Sequence, residues 1–466
     1  MRNIALLYFK DICVLPEQNT KFHFIDTYES TERASLTRIH KDHGSNLTRV
    51  VWASLEMDEG CISEKVISSV LPYATRELKE SIRTSMSRDI KQDSSINAEA
   101  LFMAQRTIIG AICHADLTYY ISQCLRFWRS YLNIVGIDYI ISNVIPHSLS
   151  DYLLAIACRQ LHIPFISQVP TGMSRHCWYL EMGSGQYIRS PVRPTNESIQ
   201  DIHEFISATR GTSKSYSEAY SSDVNMAVNL WRKDYKSFLL SASESAIQVF
   251  NYKLNLTQYY DLASKIKPIP ADYGQANILF LHYQPEATSS PLAKSFYDQR
   301  FIVDTVLSGM AENDILIIKE HPVQFFTSGI QESSTKHIQN CLGYRSISFY
   351  KYLEFFPSIY LCPRQISKQK LFGMRNIKVW SATGTVLLEA YVNNVDIGLL
   401  NTYSIYNLLG NCIEIPDEPR HETAARILGP YVWKKFSNHN LKSIFLDENV
   451  PNTMLNMLIK ACPVLV

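Results

Sequence analysis

A chain of 466 residues is longer than one hydrophobic core ordinarily serves, about 250 to 300 residues, so two domains are expected. With 46% hydrophobic, 11% aromatic and 19% charged residues the composition excludes a disordered chain, and 45 basic against 44 acidic side chains exclude a general electrostatic hold on nucleic acid. The ten cysteines form no CxxC pair and no zinc-type spacing, and read as small buried hydrophobes of a cytoplasmic protein.

Residues 3–9 are a continuous apolar run of strand length, expected inside a parallel sheet; Lys10 and Asp11 end it too early for a signal peptide. A polar stretch over 15–48 precedes a second strand-like run at 49–55. Apolar residues then recur every three or four positions through 62–86 and 98–135, which predicts long helices and an enlarged first lobe. A strand at 136–143, a helix at 150–161 and a strand at 164–169 complete one β-turn-α-β unit. Residues 196–264 read as helical, with a Ser/Tyr/Gly-rich loop near 210–222. Two prolines and a glycine within 265–274 mark the expected domain boundary. The second half alternates strands at 277–283, 314–320, 359–362, 377–380 and 395–400 with helices at 296–310 and 386–393, the pattern of a parallel α/β lobe. The expected domains are 1–272 on the acceptor side and 273–466 on the nucleotide side, the last helices packing back on the first lobe. No apolar stretch reaches the ~18 to 20 residues of a membrane span.

In open α/β sheets ligands bind past the carboxyl ends of the strands, so polar residues there carry the most information. Three such places lie in the second half. His282, Gln284 and Glu286 stand at the tip of the strand at 277–283, with Pro285 holding a non-helical path, and Asp298 and Gln299 are assigned to the same cleft. Lys319, Glu320, His321 and Pro322 end the strand at 314–320; here a histidine suits a phosphate or ribose oxygen and Lys319 suits phosphate charge. Ser381, Thr383, Gly384 and Thr385 form a small-residue turn into a helix, suited to hydrogen-bonding a phosphate, with Glu389 one helical turn further for a ribose. In the first half, His147 and Asp151 follow the strand at 136–143 and are expected to face the cleft. Each place has a structural alternative: a satisfied strand-end turn, a lysine-capped surface turn, an ordinary Ser/Thr helix cap, a core histidine. Gly183-Ser-Gly185 lacks the third glycine of a dinucleotide-binding turn, and no Asp-x-Asp triplet occurs, so a metal-chelated diphosphate is not expected.

The run FLHYQPEATSSPLAKSFYDQRFIVDTVLSGMAENDILIIKEHP, followed by IYLCP and SATGTVLLEA, resembles the capsule and surface polysaccharide biosynthesis proteins that include bacterial β-Kdo transferases. The resemblance is strongest over 277–400 and extends more weakly to SNVIPHSLSDYLLAIACRQLHIP at 142–164. It implies a GT-B architecture of two facing Rossmann-like domains, a CMP-activated sugar such as CMP-Kdo as donor, no cofactor and no metal. His321-Pro322 and the Ser/Thr turn are also similar to the motifs of sialyltransferases that use CMP-sugars, which implies cytidine monophosphate at His321 and its phosphate at the turn. Retaining chemistry through a carboxylate nucleophile is implied as well, with Glu286 as that carboxylate. The acceptor is then lipid-linked or polysaccharide, with peripheral contact at the inner face of the inner membrane. A CDP-polyol transferase of the teichoic-acid type and a non-catalytic glycan- or nucleotide-binding scaffold stay open as alternatives.

Overall fold

The structure, a computed structural model, describes residues 2–7, 20–26, 49–51, 71, 74–89, 100–101, 103, 114–146, 149–169, 171–173, 175–191, 193–211, 244–284, 291–321, 324, 345–410, 418–434, 457–458 and 461–462. The chain forms two compact units. One comprises Met1–Ala104, Ala111–Asp201 and Gly429–Val466; the other comprises Gln105–Gly110 and Ile202–Leu428.

In the first unit, strands β1 (Arg2–Leu7), β2 (Thr20–Asp26), β3 (Arg49–Val51), β4 (Tyr139–Ser142) and β5 (Phe165–Val169) are parallel and lie in the order β5-β4-β1-β2-β3. The chain thus builds outward from β1 on one side and then crosses to the other, the doubly wound pattern of a Rossmann-like sheet. Strands β6 (His176–Glu181) and β7 (Gln186–Tyr187) extend it antiparallel. Helices α1 (Arg76–Arg88), α2 (His114–Val135) and α3 (Leu149–Gln160) belong to this unit, with α1 and α3 packed on α2. The buried face of α2 carries Phe127, Trp128 and Tyr131 in mutual ring contact, and Arg129 ties it to Asp89 at 2.8 Å and to Gln160 at 3.0 Å.

Helix α4 (Asn196–Gly211) begins in the first unit and ends in the second, which continues with α5 (Glu244–Ile266). Five parallel strands follow: β8 (Ala276–Phe280), β9 (Ile315–Lys319), β10 (Ile359–Leu361), β11 (Ile377–Trp380) and β12 (Asp396–Ile397), in the order β10-β9-β8-β11-β12. Every residue of β8 and β9 is buried, which is why both read as mostly apolar runs, interrupted only by Asn277 in β8 and closed by Lys319 in β9. Helices α6 (Arg300–Ser308), α7 (Ile347–Glu354), α8 (Lys368–Phe372), α9 (Val386–Val392), α10 (Asn407–Gly410) and α11 (Arg420–Leu428) complete the unit. Its core joins Leu279, Leu316 and Ile318 of the sheet to Ile302 and Val303 of α6 and Phe349, Tyr350 and Leu353 of α7. The chain then returns to the first unit, where β13 (Trp433–Lys434) pairs antiparallel with β6 and the Trp433 indole donates to the Ile188 carbonyl at 2.8 Å.

The fold is α/β, with two Rossmann-like sheets, the first extended by antiparallel strands and the second wholly parallel. The units divide differently from a break at 272. Helix α5 inserts Leu256, Tyr260 and Ala263 into the second core, and the Tyr260 hydroxyl donates to the Cys362 carbonyl at 2.6 Å, so the segment before the prolines already belongs to the second unit. Two strands were hidden in the sequence: β2 alternates apolar and polar residues inside a polar stretch, and β6 runs antiparallel outside the strand-helix rhythm. The loop at 212–222 lies outside the described residues. The described cysteines are buried, and burial pushes the thiols of Cys158, Cys362 and Cys462 upward, the last to about 12. No helix among the described residues is long and apolar enough to cross a membrane.

Candidate functional site

The strand order of the second sheet has one switch point, between β8 and β11, because β9 and β10 extend from β8 on one side and β11 and β12 on the other. At such a point the loops leaving the two strands part in opposite directions and open a crevice at their carboxyl ends. Two sequence segments meet there: the tip after β8, with His282 and Gln284, and the turn after β11, with Ser381 to Thr385.

They are bonded to each other. The Thr383 backbone N–H donates to His282 Nε2 at 3.0 Å, and the Ser381 hydroxyl lies 3.0 Å from the same nitrogen while donating to the Phe280 carbonyl at 3.3 Å. A backbone N–H only donates, so Nε2 is the unprotonated nitrogen. Burial pushes the His282 imidazole down to about 3, with the charges of His321 and Arg345 adding to the effect, so the ring is neutral. Gly384 is needed by this packing, since a Cβ there would stand 2.9 Å from Ser381 Oγ and 3.6 Å from His282 Cε1.

The tip after β8 stays extended because side chains replace a neighbouring strand. Gln299 accepts from the His282 N–H at 3.0 Å and donates to its carbonyl at 3.1 Å; Gln324 does the same for Gln284 at 2.9 and 3.3 Å. Each amide satisfies the two backbone groups of one residue, as a β-ladder partner would. Gln284 in turn donates to the Tyr297 carbonyl at 2.6 Å.

Beneath the tip sits a charged pair that the sequence did not disclose. Arg345 donates from Nε to Glu320 at 2.9 Å, reaches the His282 carbonyl at 3.2 Å and hydrogen-bonds the Gln284 side chain. Both charged side chains are 1% exposed. Glu320 also accepts from the Tyr350 hydroxyl at 2.7 Å and from the His321 N–H at 2.9 Å, so its lone pairs are well used. Burial and the nearby Glu320 carboxylate hold the Tyr350 hydroxyl well above its ordinary range, which keeps it a donor. The Arg345 guanidinium lies 4.7 Å from the Phe349 ring centre. This pair ties the end of β9 to the tip of β8. Its only sequence signal was a charge standing directly after a buried strand at Glu320; Arg345, 25 residues later, follows no local pattern.

The other expected site residues fall in four groups. Gln284 and Gln299 are at the β8 tip but buried as scaffold, and Asp298 beside them is half-buried: burial alone would raise its carboxyl, yet the hydrogen bonds from Arg300 hold it below the ordinary value. Lys319, Glu389 and Asp151 are committed inside their units. Lys319 donates to the carbonyls of Pro363 and Arg364 at 3.2 and 2.8 Å, tying β9 to the end of β10, and burial lowers its ammonium. Glu389 pairs with Lys368 of α8, and Asp151 is fully buried in the first turn of α3. His321 is half-exposed at the end of β9 with its ring centre 6.0 Å from that of Tyr283, and Thr385 is exposed at the start of α9 without a side-chain cap bond. Glu286, Pro322 and His147 lie outside the described residues. No cluster of three or more His, Cys, Asp or Glu side chains suited to a metal occurs among the described residues.

No protein-family model matches the chain, and no curated protein matches it. Among solved structures it is similar to the UDP-GlcNAc 2-epimerase of Methanocaldococcus jannaschii at 11% identity and a TM-score of 0.21, over 95% of this chain and 98% of that one. The α,α-trehalose-phosphate synthase (UDP-forming) of Burkholderia vietnamiensis gives 11% identity and 0.21 over 99% and 98%. The UDP-GlcNAc 2-epimerase of Neisseria meningitidis, bound to UDP-GlcNAc, gives 9% and 0.21 over 99% and 100%. Similarity of this size transfers neither an activity nor a ligand.

Proposed function

We propose that the protein is a GT-B glycosyltransferase that moves a CMP-activated sugar, Kdo or a related nonulosonic acid, onto a growing bacterial surface polysaccharide. The observation that carries this reading is the bonding of the β8 tip to the β11 turn across the switch point of the second sheet, where the segments of the motif resemblance converge. In this reading the second Rossmann-like unit holds the nucleotide and the first the acceptor, with His147 on the acceptor side. The nucleotide lies against the half-exposed His321 and the turn at Thr383, Gly384 and Thr385. Lys319, Glu320, Arg345 and Glu389 act from within the scaffold, holding the strand ends that carry those groups.

The chemistry is a double displacement. The Glu286 carboxylate attacks the anomeric carbon, whose bond to CMP breaks with the electron pair leaving on the phosphate. An acceptor hydroxyl then attacks the same carbon, loses its proton, and frees the carboxylate. The anomeric configuration is retained, and no step requires a metal or a cofactor. The acceptor is a lipid-linked or polysaccharide chain, reached at the inner face of the membrane.

Calorimetry with CMP, CDP, UDP and GDP tests the donor: cytidine nucleotides should bind, and equal affinity for all four contradicts the reading. Glu286→Gln should abolish transfer from CMP-Kdo while CMP affinity stays within about threefold of the parent. Substantial turnover by that variant removes Glu286 from the reaction.

A further inference from the structure

We propose that His282 is a ligand-anchoring residue whose imidazole is locked with its proton on Nδ1, offering that N–H to a phosphate oxygen of the bound nucleotide. The inference rests on the reading of the β8–β11 crevice as a nucleotide site and adds a role that the motif alone does not assign.

Three observations carry it. The Thr383 backbone N–H occupies the single lone pair of Nε2, so a neutral ring must hold its proton on Nδ1. The side chain is 7% exposed, and among the described residues Nδ1 has no hydrogen-bond partner. Around the ring stand the Thr383 N–H and the Ser381 hydroxyl, with the positive charges of Arg345 and His321 acting on it through space. An anionic oxygen is the acceptor such a setting lacks. The surrounding structure also holds the ring still. Gln299 clamps both backbone groups of His282, and Arg345 binds its carbonyl. A donor fixed at the switch point loses no side-chain freedom when the ligand arrives.

The same geometry excludes His282 from proton abstraction. Its one basic nitrogen already accepts from the backbone, and taking up a second proton would break that bond.

Two substitutions separate the two sides of the ring. In His282→Gln the amide oxygen reaches the Nε2 position and accepts from Thr383, but nothing donates at Nδ1. In His282→Asn the amide nitrogen stands near Nδ1 and the Thr383 N–H loses its acceptor. His282→Gln should therefore melt within a few degrees of the parent and bind CMP about tenfold or more weakly. His282→Asn should melt lower and, at a temperature where it is folded, bind CMP better than the Gln variant. Long-range 15N–1H correlation spectra of 15N-histidine-labelled protein should show one ring in the Nδ1–H form from pH 5 to 8, absent in His282→Gln and shifted by CMP. Unchanged CMP affinity in His282→Gln, an Nε2–H tautomer, or titration of this ring near pH 6.5 overturns the proposal. Binding of UDP and not CMP by the parent contradicts the cytidine reading alone, and the same variants are then compared with UDP. A parent that binds neither nucleotide nor inorganic phosphate overturns both.

Discussion

At the scale of single residues, the Glu320–Arg345 pair shows how a charge can serve a site without touching its ligand. Two ions taken out of water stabilise a fold only when their geometry and remaining hydrogen bonds are good, and removing one partner strands the other. Arg345→Met should accordingly cost about 3 to 5 kcal/mol in urea unfolding. Adding Glu320→Gln to that variant removes the stranded charge, so the double variant should be more stable than Arg345→Met alone. Simple additivity of the two losses would show that the charges do not depend on each other. This pair also marks where reading by sequence stopped. His282 and Ser381 were legible because each directly follows an apolar strand run, whereas Arg345 acquires its meaning only when β9 and the approach to α7 come together in space.

At the scale of elements, the parallel strands were the most legible part of the chain. The runs at 276–280 and 315–319 are buried on both faces, and that demand writes itself into sequence as a concentration of apolar residues. Strand β2 was missed because TKFHFID alternates instead. The side-chain ladder of Gln299 and Gln324 was invisible for a different reason: an amide replacing a strand partner needs no particular spacing. Helix α7 depends on a local device. Ser346 accepts from the Phe349 N–H at 3.1 Å as the N-cap, and α7 delivers Tyr350 to Glu320. Ser346→Ala should lower stability by about 1 kcal/mol in urea unfolding. A loss below a few tenths would mean that the helix start is held by Arg345 rather than by its cap.

At the scale of the whole molecule, stability should respond to pH through His282. Its folded value, about 3, lies below the ordinary imidazole value of 6.5, so between the two the unfolded chain binds a proton that the folded protein refuses. Stability is therefore complete above pH 6.5 and falls as pH drops, at up to about 1.4 kcal/mol per unit. Comparing urea midpoints at pH 7.5 and 5 should show a larger loss for the parent than for His282→Gln, and equal losses would place the sensitivity elsewhere. The organisation of the chain into two doubly wound sheets was legible from the alternation of strands and helices. The C-terminal segment was expected to pack back on the first lobe, and Gly429–Val466 belongs to the first unit; the β13–β6 pairing through which it does so, two residues long, has no sequence pattern of its own.

The proposed function stands on a cytidine nucleotide binding at the switch point of the second sheet. A crystal structure of the protein with CMP tests it most directly. The phosphate is expected between the β8 tip and the β11 turn, within hydrogen-bond distance of His282 Nδ1, with the nucleoside beside His321. CMP bound elsewhere, or a phosphate beyond the reach of His282, would contradict it.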